Sequence, residues 1–192
     1  MRCTHLLGTT YSFNNPHNFP KDRPLIIVGN HQSMHDIPPI IWYMRAYHPK
    51  FVSKIELGKG IPSVSYNLRH GGAALIDRKD SKQALTEIAK LGRNIEKQHW
   101  SAVIFPEGTR SRTGQPKKFQ PMGLKILMKN APSALIVPIS INNSWKMMRY
   151  GKFPSGIGNH LTFNVHQPIE NTDKLDELVA LIELRITSGI TS

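Results

Sequence analysis

The chain has a single cysteine, Cys3, among its 192 residues. An intrachain disulfide is thereby excluded, a cysteine nucleophile is disfavoured, and the composition fits a reducing compartment. Long apolar runs are missing too. No stretch approaches the ~20 apolar residues that cross a bilayer as a helix, and the opening Met1-Arg2-Cys3-Thr4-His5 lacks the apolar core of a signal peptide. Negative charge is scarce: 13 acidic residues stand against 25 lysines and arginines, a formal charge of +12. That balance points to an anionic partner, whether nucleic acid, a membrane surface or a phosphorylated substrate, without choosing among them. No internal repeat, low-complexity tract or linker interrupts the chain, and its length suits one domain with a sizeable core.

What is present alternates. Apolar runs that read as strands, at 25–29, 50–53, 73–76, 101–105, 134–140 and 161–167, are separated by helical patterns, the signature of an α/β layered fold. The clearest helix spans 81–97, with Leu85, Ile88, Leu91 and Ile95 on one face and Asp80 or Ser81 placed to cap it. Further helices are expected at 38–47, entered through Pro38-Pro39, at 122–130 and at 173–187, while 13–24 and 106–121 read as loops. The expectation is a single α/β domain with a mixed, mostly parallel β-sheet flanked by helices. Residues 1–23 form a lead-in, 24–140 carry the motifs, and 141–192 add a C-terminal strand and helix.

Two polar segments stand where predicted strands end. Asn30-His31-Gln32-Ser33-Met34-His35-Asp36 follows Leu25-Ile26-Ile27-Val28 and sets an imidazole and a carboxylate five residues apart. Neutral histidine accepts a proton at physiological pH, and a carboxylate on its other ring nitrogen fixes the tautomer and stabilises the imidazolium. Asp36, ahead of Ile37-Pro38-Pro39, is equally placed to cap a helix. Ser33 lacks the glycine-flanked elbow of a nucleophilic serine, so Ser33 and Gln32 read as loop hydrogen bonders. His31 and His35 could share a metal on a helix, but Gln32 stands where a metalloprotease has glutamate, and the two prolines argue against a helix there. No metal is therefore expected. The second segment, Phe105-Pro106-Glu107-Gly108-Thr109-Arg110-Ser111-Arg112, follows Ala102-Val103-Ile104.

Together these segments resemble the glycerolipid acyltransferases, specifically the 1-acylglycerol-3-phosphate acyltransferases. Gly72-Ala73-Ala74-Leu75-Ile76-Asp77-Arg78 and Ile136-Val137-Pro138-Ile139-Ser140 are similar to two further blocks of that family, and all four stand in its order from about Pro24 to Ser140. The resemblance implies transfer of an acyl group from acyl-CoA or acyl carrier protein to the sn-2 hydroxyl of lysophosphatidic acid, forming phosphatidic acid in phospholipid synthesis. His31 would be the base and Asp36 its orienter. Arg78 and Arg110, whose planar forks match phosphate oxygens, would hold the acceptor. Gly108 and Thr109 would let the loop approach that anion, Glu107 would hold an arginine or the loop, and Lys54 would reach toward phosphate or donor. Pro138 reads as structural, marking an edge strand or bulge.

No cofactor is expected beyond the thioester co-substrate. The partners expected are lysophosphatidic acid, an acyl donor and an anionic membrane surface, met peripherally on the cytoplasmic face, with no nucleic acid. Two departures from the family are visible: His35 stands where a bulky or aromatic residue is common, and only thirty residues precede His31, where relatives commonly carry membrane-embedding helices. The second raises an N-terminally shortened form as an alternative to a complete chain. An acyltransferase acting on another lysolipid or an acylated amino-acid lipid is a second possibility. A non-catalytic basic module for nucleic acid or membrane is a third. Against the latter, the chain shows no recognised nucleic-acid motif and no clear interleaving of aromatic with basic residues, and the polar signals cluster at strand ends, where open α/β sheets place ligands.

Overall fold

In a computed structural model, which describes residues 2–151 and 153–191, the chain builds one eight-stranded sheet with helices on both faces. The elements run α1 (Arg2–His5), β1 (Thr10–Asn14), β2 (Leu25–Gly29), α2 (Ile37–Tyr43), β3 (Pro49–Lys54), α3 (Pro62–His70), β4 (Ala74–Ile76), α4 (Ser81–Gln98), β5 (Ser101–Ile104), α5 (Pro121–Lys129), β6 (Leu135–Asn142), β7 (His160–Val165), β8 (Ile169–Glu170) and α6 (Leu175–Ser188). Short 3-10 turns fill several connections. The strand order is β1-β7-β6-β2-β5-β3-β4, with β8 paired to β6. Neighbours are parallel except where β6 meets β7 and β8. The expected mixed, mostly parallel sheet is what forms.

The central strands are apolar without alternation because both of their faces are covered. Every residue of β2, β5 and β6 is buried, as parallel strands under two helical layers require. One face packs Ile26, Val28, Ala102, Ile104 and Ile136 against α4, α5 and α6. The other packs Leu25, Ile27, Val103, Val137 and Ile139 against Ile40 and Met44, in and just beyond α2, with Phe19 and Phe163. Helix α4 begins where the Asp80 carboxylate accepts from the Gln83 amide at 2.9 Å and ends at His99, whose φ of 52° takes the left-handed form of a helix stop.

The differences from the sequence expectations have physical causes. Residues 13 and 14, expected in a loop, close β1, because Thr10–Asn14 finds a parallel partner in β7. Its half-exposed pattern gives little local signal, so tertiary pairing decides it. Helix α3 lies where no element was expected; it buries only Ser65, so no apolar stripe marks it. The helix expected at 38–47 stops at Tyr43, continues as a 3-10 turn at Arg45–Tyr47 and reverses at left-handed His48. Pro138 is in an interior strand and not at an edge. Its carbonyl accepts from the His166 amide at 2.9 Å, where β6 changes neighbours between β8 and β7. A strand residue's N and O face the same side, so its missing N–H falls at that junction and costs no ladder bond.

This topology positions the site. β2, β3, β4 and β5 are mutually parallel, so Gly29, Lys54, Ile76 and Ile104 end on one edge of the sheet, and both polar segments begin there.

Helix α4 packs close against the end of α5 at Gly92, where an added Cβ would lie 2.6 Å from Asn130 Cβ and 3.1 Å from the Leu127 carbonyl. Alanine raises helix propensity by ~1 kcal/mol, but overpacking at this distance costs more. Gly92→Ala is therefore expected to destabilise the fold by about 1–2 kcal/mol, read as a lower urea midpoint at unchanged m.

Candidate active site

The loop after β2 is fastened residue by residue. The Asn30 side chain, beyond the last residue of β2, accepts from the Ile141 amide at 2.7 Å and donates to the Ile141 carbonyl at 2.9 Å, tying the loop to β6. Ser33 caps a 3-10 turn at Met34–Asp36, its hydroxyl accepting from the His35 amide at 3.0 Å. Asp36 then folds back: one oxygen, Oδ2, accepts from His31 Nδ1 at 2.7 Å, from the Gln32 amide at 2.8 Å and from the Ser33 amide at 2.9 Å. Asp36 is fully buried and His31 8% exposed. The carboxylate can only accept, so Nδ1 carries the proton and the lone pair sits on Nε2, which makes no hydrogen bond among the described residues.

The capping alternative for Asp36 is realised in a different form. It stands at the N-cap of α2 but caps no amide of that helix; its carboxylate closes a capping box with Ser33 instead. Orienting the imidazole and shaping the turn are thus the work of the same oxygen. The Ser33 hydroxyl pairs with the Ser144 hydroxyl and does not bond the imidazole.

The second segment locks onto the first. The Phe105 ring stacks on His31, centroids 4.3 Å apart and planes 14° from parallel. Glu107, 2% exposed, accepts from the His31 amide at 2.9 Å and, on its other oxygen, from the Lys117 amide at 3.0 Å. Burial raises its pKa, while the two amides, His31's first, hold it down. Glu107 therefore holds loops, and among the described residues it makes no ion pair with an arginine. The Ser111 amide donates to the His31 carbonyl at 2.7 Å. Gln32 bridges outward, donating to the Gly114 carbonyl at 3.3 Å and accepting from the Ser144 amide at 2.9 Å. Gly114, at a φ of 82°, lies so close to the Trp145 indole that a Cβ would come within 2.4 Å.

Around this frame stand free cations. Arg78, Arg110 and Lys54 are exposed at the same sheet edge, and their side chains make no hydrogen bond or ion pair among the described residues. Arg78 and Arg110 are near enough to act on each other: desolvation lowers the Arg78 pKa most, Glu56 raises it, and Arg110 lowers it. His35 is held below its usual value by burial first, with Asp36 opposing and Arg110 adding to the shift. Thr109 and Arg110, with Ser111, Arg112, Thr113 and Lys117, line a polar cavity of about 450 Å³. Gly108 makes the turn into it at a φ of 66°. Pro138 lies within β6, outside this cluster. Among the described residues no group of three or more His, Cys, Asp or Glu side chains is arranged to hold a metal ion. Asn30, Phe105 and Trp145 supply support that spacing alone did not single out, since stacking and clamping leave no short pattern.

A family model described as Acyltransferase matches residues 11–142. The chain belongs to the acyltransferase family. Among its relatives, the 1-acyl-sn-glycerol-3-phosphate acyltransferase of Helicobacter pylori is 39% identical over 135 residues, covering 65% of this chain and 54% of that protein. The one from Borreliella burgdorferi is 30% identical over 172 residues, covering 90% and 66%. In structure, the chain is similar to the 1-acyl-sn-glycerophosphate (LPA) acyltransferase PlsC of Thermotoga maritima, with a TM-score of 0.79 and 27% identity over 98% of this chain and 74% of that one. The chain spans about half the length of several curated relatives that it matches. No helix among the described residues is long and apolar enough to cross a membrane.

Glu107 gives a pH-dependent test of the frame. Its folded pKa lies above the usual value of 4.5, so its contribution to stability is full below that value and is lost as pH rises through the folded pKa. Glu107→Gln removes the titration and one amide acceptor, so the variant should be less stable by about 1–3 kcal/mol at acid pH, with the gap narrowing toward neutrality. Urea unfolding of both proteins at two pH values measures it; a gap that widens with pH contradicts the buried-carboxylate reading.

Proposed function

We propose that this acyltransferase-family chain transfers an acyl group from a thioester donor, acyl-CoA or acyl carrier protein, to the sn-2 hydroxyl of lysophosphatidic acid, giving phosphatidic acid. The observation that carries the reading is His31 held by Asp36 at 2.7 Å, with Arg78 and Arg110, in no ion pair among the described residues, on the same sheet edge. An alcohol is a poor nucleophile until its proton is taken, and Nε2 holds the lone pair to take it. The acceptor oxygen attacks the thioester carbonyl as the proton passes to Nε2; Asp36 stabilises the imidazolium; the C–S bond then breaks, and the thiolate leaves with that proton. No enzyme nucleophile is needed, and no cofactor beyond the donor enters.

Phosphate recognition falls to the arginines. Arg78 and Arg110 repel each other until an anion lies between them, so a phosphate relieves a like-charge cost as it binds. Gly108 and Thr109 shape the approach, Lys54 extends the positive edge, and Glu107 and Pro138 keep the frame. The acceptor is drawn from an anionic membrane surface on its cytoplasmic face.

Thiol release from acyl-CoA or acyl-carrier-protein thioesters, with and without lysophosphatidic acid in micelles, tests the proposal. Acceptor-dependent release is expected, and His31→Ala should lower it by roughly 10²–10⁴ with the melting curve retained. No release from folded parent protein with either donor overturns it. Arg110→Ala should raise the acceptor KM about tenfold with kcat and stability little changed, and unchanged kinetics remove Arg110 from the phosphate site.

A further inference from the structure

The chemistry leaves the outward face of α2 unused. Its seven residues include no charged side chain. Pro39, Ile40 and the following Met44 are buried in the sheet layer, yet Ile41 and Trp42 are 47% and 57% exposed, and Met34, just before the helix, is 53% exposed. A helix on a water-facing surface turns polar residues outward; α2 is apolar on both sides. Pro38, Ile41, Trp42 and Arg45 recur at spacings of three and four, forming one exposed stripe. At its end the Arg45 guanidinium lies over the Trp42 ring, 4.9 Å from the centroid, and donates to the Trp42 carbonyl at 2.6 Å.

The surroundings define what fits that stripe. α2 starts directly after Asp36, so the stripe adjoins the His31 site. The neighbouring sheet edge carries Lys54, Arg78 and Arg110 without ion pairs among the described residues, and the chain's formal charge is +12. We propose that the outward face of α2 seats the protein on an anionic lipid bilayer, with Ile41 and Trp42 at the boundary between headgroups and acyl chains and Arg45 reaching the headgroup phosphates. An amphipathic tryptophan with an arginine beside it suits that zone. A second copy of the chain suits the face less well, since pairing there would bring two positive edges together. The proposal rests on the proposed function only for the origin of the acceptor.

Flotation with vesicles of phosphatidylglycerol or phosphatidylcholine tests it, carried out on the parent and on His31→Ala so that binding is read independently of turnover. Both proteins are expected to float with phosphatidylglycerol, more weakly with added salt and roughly tenfold more weakly with phosphatidylcholine. Trp42→Glu should weaken binding about tenfold or more, as loss of one large apolar side chain gives, and Ile41→Gln, a milder change, should weaken it in the same direction. Leu184→Glu should bind as the parent does, because Leu184 is 64% exposed on α6, in the opposite layer. Unchanged binding by folded Trp42→Glu and Ile41→Gln, equal loss in Leu184→Glu, or no flotation at all overturns the proposal. So does a concentration-dependent dimer of the parent that Trp42→Glu abolishes, since that assigns the face to a second copy.

Discussion

The structure turns on one buried oxygen. Asp36 Oδ2 collects His31 Nδ1 and the amides of Gln32 and Ser33, so the imidazole and the turn that presents it are held by the same atom. A fully buried carboxylate needs hydrogen bonds in place of its lost water, and three donors supply them on Oδ2, while Oδ1 is buried without a partner among the described residues. Removing any of these three donors would leave the buried charge less well satisfied. Everything outward is fastened to it: His31 to Glu107 and Ser111, Gln32 to Gly114 and Ser144.

That fastening separates two kinds of polar residue. Asp36 and Glu107 lie inside, their carboxylates spent on backbone amides and, for Asp36, on the imidazole. Arg78, Arg110 and Lys54 lie outside, in no ion pair among the described residues, with Glu56 near enough to raise the Arg78 pKa. An edge built this way keeps these two carboxylates inside the fold and offers the three cations to solvent. The parallel strands gather these residues on one edge, and the lack of a polar face on α2 sets an apolar surface beside them.

Much of the fold was legible because it is written in local pattern. Leu25–Gly29 and Ser101–Ile104 are continuous apolar runs, and α4 has an apolar stripe and an aspartate cap. Where the local pattern is weak the reading missed: β1 and β8 exist through their partners β7 and β6, and α3 packs almost nothing. The site was legible to the same extent. His31 and Asp36 could be paired from spacing, but that Glu107 binds backbone and not an arginine depends on two loops meeting across 76 positions.

The sequence by itself determined which segments become the buried strands and helices of an α/β fold, that the chain is strongly basic, and which side chains are of a type able to take a proton or meet an anion, because hydrophobic periodicity and residue type are properties of short stretches. Only the tertiary structure decided which of those side chains share an edge, which carboxylates are inside and which arginines are free, and that Pro138 lies in an interior strand. Those outcomes depend on strand order and on contacts between distant segments, whose free energy exists only once the sheet has closed around them.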